Sequence, residues 1–223
     1  MVKSPTVEVP VLNVCEIFKS IQGESTHVGR PCVFVRLAGC NLRCSYCDTA
    51  YAYAGGTEMP ETAVLARLAE LGSGIVEVTG GEPLLQEAGL LGLCTSLQRV
   101  GRIVLVETNG SLPLPPRPRP FHAILDVKCP GSGESGRVCW DNLHFLQNGD
   151  EVKFVVSDQA DFDWGVEIVR RFGLEGRVAV LFSPVFGKVE PQALASWVVA
   201  SGLDVRMQLQ LHKCIWPLDA RGV

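Results

Sequence analysis

Apolar positions along the chain recur in two alternating rhythms. Short runs rich in β-branched and aromatic residues, at 33–37, 75–78, 103–106, 123–127, 152–156 and 178–182, predict six strands. Between them lie segments with helical spacing. Val64, Leu65, Leu68 and Leu71 mark one over 62–71, closed by Gly72, and others cover 84–100, 163–172 and 191–201. A last apolar alternation, VRMQLQL, runs over 205–211. Residues 113–120 (PLPPRPRP) place five prolines in eight positions, which neither a helix nor an inner strand accepts. This stretch reads as a surface loop standing in for one crossover. It is a solvated polyproline II segment rather than a seat for an anionic partner, in spite of its two arginines.

Six strands joined mostly by helices predict an α/β fold with a largely parallel sheet. Right-handed crossovers curl such a sheet into a partial, open β-barrel of about six strands with helices outside. Its working face lies at the C-terminal ends of the strands. The unusual residues fall there: Gly39-Cys40, Thr79-Gly80-Gly81-Glu82-Pro83, Thr108-Asn109-Gly110, Lys128 and Ser183-Pro184.

The length, 223 residues, suits a single domain over 1–223. Lys plus Arg number 20 against 24 Asp plus Glu, a net charge of −4, so no broad basic footprint for nucleic acid exists. No apolar run reaches the 18 or so residues of a membrane span, and residues 1–10 lack the apolar core of a signal peptide. The expectation is a cytoplasmic protein with no membrane contact.

Nine cysteines, an odd number and a low density, argue for metal or thiol chemistry rather than a disulfide framework. Cys15, Cys32, Cys94, Cys129, Cys139 and Cys214 are scattered and read as small hydrophobes. Cys40, Cys44 and Cys47 are not scattered: they form C-x3-C-x2-C within eight residues. Three thiolates on one loop can hold an iron–sulfur cube and leave one iron open. They can also form a zinc knot completed by His27, Cys32 or Asp48, although the second C-x2-C half of such sites is missing.

C-x3-C-x2-C after a strand, with Tyr46 before the last cysteine and Gly80-Gly81-Glu82-Pro83 after the next strand, resembles the radical S-adenosylmethionine superfamily. Further segments narrow the likeness: Glu16 to Glu24 (EIFKSIQGE), Phe34 to Leu42 (FVRLAGCNL), Cys47-Asp48-Thr49, Asp126 to Pro130 (DVKCP) and Leu211 to Pro217 (LHKCIWP). Together, over almost the whole chain, they resemble the 7-carboxy-7-deazaguanine synthase family. The resemblance implies a truncated radical SAM barrel with N- and C-terminal substrate-binding segments. It implies a lyase that converts 6-carboxy-5,6,7,8-tetrahydropterin to 7-carboxy-7-deazaguanine with loss of ammonia, in the 7-deazapurine pathway that leads to queuosine. A 5′-deoxyadenosyl radical would begin the reaction at C6 of the substrate, with S-adenosylmethionine regenerated.

The same resemblance implies roles for individual residues. Cys40, Cys44 and Cys47 would hold a 4Fe-4S cluster, and Thr49 a magnesium ion beside the substrate. Tyr46, Asp48, Gly81, Glu82, Lys128 and Ser183 would meet S-adenosylmethionine. Ile21, Gln22, Gly23, Arg36, Thr79, His212 and Pro217 would bind the substrate, with Arg36 pairing its carboxylate and Arg36 and Lys128 serving catalysis. A flavodoxin or ferredoxin would supply electrons, and a homodimer is implied. Two rivals share the cysteine spacing. A glycyl-radical activating enzyme has no need of Arg36, Gln22 or the terminal His-Lys segment, and a non-catalytic metal-binding module would cleave no cofactor.

Overall fold

The computed structural model describes residues 10–223. The reading of 1–9 as lacking a leader lies outside the described residues. The chain runs through β1 (Val11–Ile21), β2 (Pro31–Leu37), β3 (Thr57–Pro60), α1 (Glu61–Leu71), β4 (Ile75–Gly80), α2 (Glu87–Arg99), β5 (Ile103–Thr108) and β6 (His122–Asp126). It continues through α3 (Asn142–Phe145), β7 (Glu151–Val156), α4 (Gln159–Phe172), β8 (Ala179–Pro184), α5 (Pro191–Ser201), β9 (Arg206–Met207) and α6 (Leu211–Ile215). One sheet contains all nine strands in the order β3-β1-β2-β4-β5-β6-β7-β8-β9 and does not close.

The six expected strands are β2 and β4 to β8, and they pair in parallel from β2 to β8. Three further strands extend the expected six. β1 and β3 add antiparallel pairs at one edge, with a register irregularity between Val14 and Glu16. At the other edge the 205–211 alternation yields only the two-residue β9, parallel to β8. Its remainder turns into α6, because Gln208 and Gln210 bond to the segment after β1 instead of to a neighbouring strand. The helix expected over 84–100 opens with a tight 3-10 turn at Pro83–Gln86, and α2 starts at Glu87. α4 begins earlier than expected, where the Asp158 side chain caps the amide of Asp161. No helix covers the crossover at 113–120.

Side chains alternate across each strand. Val33, Val35 and Leu37 of β2, Val76 and Val78 of β4, Val104 and Val106 of β5, and Val152 and Phe154 of β7 face the helices and join the main core. The opposite face is layered. Cys32, Phe34, Ile75, Leu105 and Ile124 form an apolar floor toward the strand N-termini. The next inward positions toward the C-terminal ends are Arg36, Glu77, Thr79, Glu107, Asp126 and Lys153, and all of them line one cleft.

Candidate active site

The cleft has a volume of about 440 Å³ and opens at the C-terminal ends of the strands. The loop after β2 brings Cys40, Cys44 and Cys47 to its wall. Gly81 fixes this loop. Its amide donates to Leu37 O (3.0 Å), the next amide, of Glu82, donates to Gly39 O (2.7 Å), and a Cβ at Gly81 would lie 1.9 Å from Gly39 O. Below the cysteines, Ser45 N donates to Ser132 O and Ser45 Oγ to Gly131 O. The thiols are free and partly exposed. Leu42 N (3.5 Å) and Asn109 Nδ2 (3.8 Å) both donate to Cys40 Sγ. Burial pushes the Cys44 thiol up to about 11, against the pull of Lys128.

Among the described residues, no three His, Cys, Asp or Glu side chains gather around one point as the ligands of a single ion. All three thiols line the cleft, and two N–H donors point at Cys40 Sγ. That arrangement fits a cluster taking one sulfur per iron better than a zinc knot.

Lys128 lies half-buried beside Cys44 and pairs with Asp126 (2.8 Å). Burial disfavours its charge, but the Asp126 carboxylate outweighs that and holds the ammonium well above its ordinary range. Tyr46 donates its hydroxyl to Val155 O (3.0 Å), so its ring, rather than its oxygen, faces the cleft. Two expected cofactor contacts are placed differently. The Glu82 carboxylate is turned inward, accepting from Leu84 N, Thr108 Oγ1 and Asn109 N, so its side chain builds the turn and only the backbone of that turn faces outward. Ser183 is wholly covered and does not line the cleft; its hydroxyl has no protein partner.

On the substrate side, Arg36 Nε donates to Glu16 Oε1 (2.7 Å), and the Tyr51 hydroxyl donates to the same oxygen (2.7 Å). The Phe18 and Tyr51 rings flank the guanidinium at 5.8 and 5.9 Å. Among the described residues its terminal nitrogens have no hydrogen-bond partner, which suits a planar anion. The expected role of the Gln22 amide changes. Nε2 donates to Glu77 and Oε1 accepts from Glu24 N (3.1 Å), so Gln22 orders the segment and leaves the backbone of Ile21 to Gly23 to meet a ligand. Thr79 donates weakly to Glu107 (3.4 Å).

The C-terminal segment closes over this side. Leu211 N donates to Gly23 O (2.9 Å), and a Cβ at Gly23 would lie 2.3 Å from His212 Nδ1, so the missing side chain at Gly23 makes room for the His212 ring. Gln210 reaches Glu24 (2.9 Å), while Lys213 pairs with Asp48 (2.5 Å). Pro217 lies on the cleft rim. Burial keeps His212 below its usual range and therefore neutral near pH 7. The Asp48 side chain is half exposed, and the paired Lys213 outweighs what desolvation it suffers and holds its carboxyl well below the carboxylate range. Thr49 donates to Asp48 Oδ1 (2.8 Å), which leaves the Thr49 oxygen lone pairs open to a hard cation.

The sequence reading missed the charges at the base of the cleft. Lys153 is 3% exposed and contacts Glu24 (2.7 Å), Glu107 and Asp126 (3.7 Å). Each of the strand segments VEV, VET and VKF carries one charge amid apolar neighbours, and in an inner strand such a charge requires a partner. Glu77 is fully buried, and burial together with the nearby Glu107 carboxylate pushes it up to about 8. Folding thus favours its neutral form: the associated stability is full below the ordinary glutamate range and is lost as pH rises through about 8. Glu77→Gln, which keeps an oxygen for Gln22, is expected to flatten that loss. Its thermal midpoint should fall less than that of the unaltered protein between about pH 6 and about pH 9. Parallel pH profiles would show that Glu77 does not titrate in this window.

A family model described as the radical SAM superfamily matches residues 35–127. A protein of Koribacter versatilis named 7-carboxy-7-deazaguanine synthase is 46% identical over 226 residues, covering 95% of this chain and 100% of that one. One of the same name from Chlorobaculum tepidum is 47% identical over 221 residues, covering 98% and 100%. The crystal structure of QueE from Escherichia coli shares the fold, with a TM-score of 0.74 at 20% identity over 93% of this chain and 99% of that one.

Proposed function

Since this chain belongs to the 7-carboxy-7-deazaguanine synthase family, within the radical SAM superfamily, we propose that its cleft turns 6-carboxy-5,6,7,8-tetrahydropterin into 7-carboxy-7-deazaguanine with loss of ammonia. One observation carries this reading: three thiols and a braced, anion-ready guanidinium line the same cleft, under a C-terminal segment pinned by Lys213 to Asp48. Cys40, Cys44 and Cys47 are the ligands of a 4Fe-4S cluster, which with S-adenosylmethionine supplies the electron and the organic radical that start the rearrangement.

The remaining work belongs to the chain itself. Arg36, held by Glu16, pairs with the substrate carboxylate through its two terminal nitrogens and fixes the ring above the charged floor. The backbone of residues 21–23 and the Thr79 hydroxyl orient the pterin, and His212 and Pro217 exclude water from it. Lys128, Asp48, Tyr46 and the Gly81 turn line the cleft and would hold S-adenosylmethionine, with Lys128 suited to its carboxylate. Thr49 contributes one oxygen to magnesium, and substrate and water complete its coordination.

A flavodoxin or ferredoxin is assigned as electron donor. A homodimer is assigned on the exposed apolar side chains of Leu209, Ile215 and Leu218. A cytoplasmic location is assigned; no helix among the described residues is long and apolar enough to cross a membrane. The described residues form one continuous sheet, which agrees with a single radical SAM domain over 1–223.

The test is anaerobic turnover followed by mass spectrometry, with dithionite, S-adenosylmethionine and the carboxytetrahydropterin. The deazaguanine product is expected only with substrate present. Slow 5′-deoxyadenosine release that ignores the substrate would favour a glycyl-radical activating enzyme, and no release at all a metal-binding module. In the same assay EDTA should suppress turnover and added magnesium restore it, while Thr49→Ala should cost about tenfold in kcat/KM at limiting magnesium. Unchanged rates in both would remove magnesium and Thr49 from the site.

A further inference from the structure

The proline-rich crossover takes no part in the cleft. It runs from β5 to β6 and reaches the N-terminal edge of the sheet, opposite the mouth. Strands of five or six residues put these two faces about 17–20 Å apart. There Asp150 gathers the chain. Its Oδ1 accepts from Ala123 N (2.9 Å), and its Oδ2 accepts from Gln147 N (3.0 Å), Arg117 Nη2 (2.5 Å) and Arg119 Nη2 (2.6 Å). One carboxylate thus meets two guanidinium groups.

The Arg119 side chain is wholly buried, and that of Arg117 is 26% exposed. Arg117 Nε, Arg119 Nε and Arg119 Nη1 are buried without a partner among the described residues. Burial, and the second guanidinium beside it, weaken the hold of Arg119 on its proton in spite of Asp150. Native proteins rarely leave buried donors bare, and more rarely leave buried cations outnumbering their counter-charge. The same two arginines, with Arg102, His122 and Gln98, wall a second cavity of about 200 Å³ that has no carboxylate among its lining residues. Arg102 is itself anchored on the Ser73 carbonyl, so its charge is held at the cavity edge.

We propose that this cavity binds a phosphate group, with Arg102, Arg117 and Arg119 as its donors. A tetrahedral oxyanion supplies the missing negative charge and several acceptors at once, and guanidinium groups match it in both charge and geometry. Arg117 stands at the entrance and Arg119 at the base. The segment whose composition reads as a solvated proline loop thereby becomes one wall of an anion site remote from the chemistry. The group is carried either by free phosphate or by a nucleotide, and the test separates the two.

Reconstituted enzyme is dialysed to equilibrium against radiolabelled inorganic phosphate, and separately against AMP, with chloride holding ionic strength constant. Saturable binding near one per chain is expected, together with a phosphate-dependent rise in thermal midpoint. Arg117→Gln and Arg102→Gln, at partly exposed positions, are each expected to weaken binding at least about tenfold. Their circular dichroism and cluster absorbance should be unchanged. Tighter binding of AMP than of phosphate identifies a nucleotide, and equal binding the free ion. No saturable uptake, or uptake that is the same in the Arg102/Arg117 double variant, would overturn the proposal. In both variants the buried Arg119 guanidinium keeps its Asp150 partner.

Discussion

Cys44→Ala is expected to yield a colourless protein that keeps its fold and loses turnover below detection. Both halves of the outcome follow from how the loop is held. Cys44 is the middle ligand of the three, and no other free cysteine lines the cleft to replace it. The loop does not depend on the thiol for its shape. Ser45 is tied to Gly131 and Ser132, Arg43 N donates to Glu134, and the Gly81 turn clasps Gly39 from the other side. Removing one half-buried sulfur should therefore leave circular dichroism and thermal midpoint nearly intact while iron and acid-labile sulfide fall. The wrong outcome is a variant that retains iron, sulfide and product formation. It would mean that the thiols along this wall are not the ligands.

The separation between scaffold and chemistry explains which parts were legible in the sequence. β2 and β4 to β8 are covered on both faces, so they appear as nearly unbroken apolar runs. β1 is longer, at 11 residues, but half-buried and mixed in character (VLNVCEIFKSI), and its inward positions Glu16 and Phe18 serve the cleft, so no clean period stands out. β3 is four residues, and its sequence, TEMP, carries no strand signal. β9 is shorter than its pattern suggests because the glutamines in VRMQLQL alternate like a strand. Gln208 and Gln210 instead bond across 183 and 186 residues to Ser25 and Glu24, which no local pattern announces. The thiols, Arg36 and the terminal His212 are visible through motifs. The role of Gln22 is not, because its amide is committed to Glu77, a partner 55 residues away.

The charges beneath the cleft are the other case of a residue type whose meaning depends on tertiary placement. In isolation Glu77, Glu107 and Lys153 read as ordinary solvated charges. Alternation puts all three on the inward face, one layer above Phe34, Ile75, Leu105 and Ile124. An apolar layer below strengthens every electrostatic interaction above it. The protein thus keeps its ionised groups where a polar substrate would meet them and closes the base of the barrel with hydrocarbon.

Lys153→Met should therefore be the most damaging single change outside the cysteine loop. Methionine fills much of the same volume but leaves Glu24, Glu107 and Asp126 without their shared cation. Breaking a buried ion cluster from one side costs about 3–5 kcal/mol, or a drop of roughly 10 °C or more in thermal midpoint for a chain of this size. The sign of the pH dependence distinguishes this cause from lost packing. Lys153 at present holds Glu24 below the usual carboxylate range, against burial that would raise it. Without the ammonium, burial is opposed only by the Gln210 hydrogen bond and by His212, and the carboxyl is expected to rise above its unfolded value. The variant's deficit should then be smaller in mild acid, where burial favours the protonated Glu24 carboxyl in the folded state, and should grow as pH climbs. Thermal melts from about pH 5 to about pH 8 measure it. A deficit that stays constant with pH would assign the loss to packing. A variant as stable as the parent at neutral pH would mean that the lysine is not the counter-charge of the cleft floor.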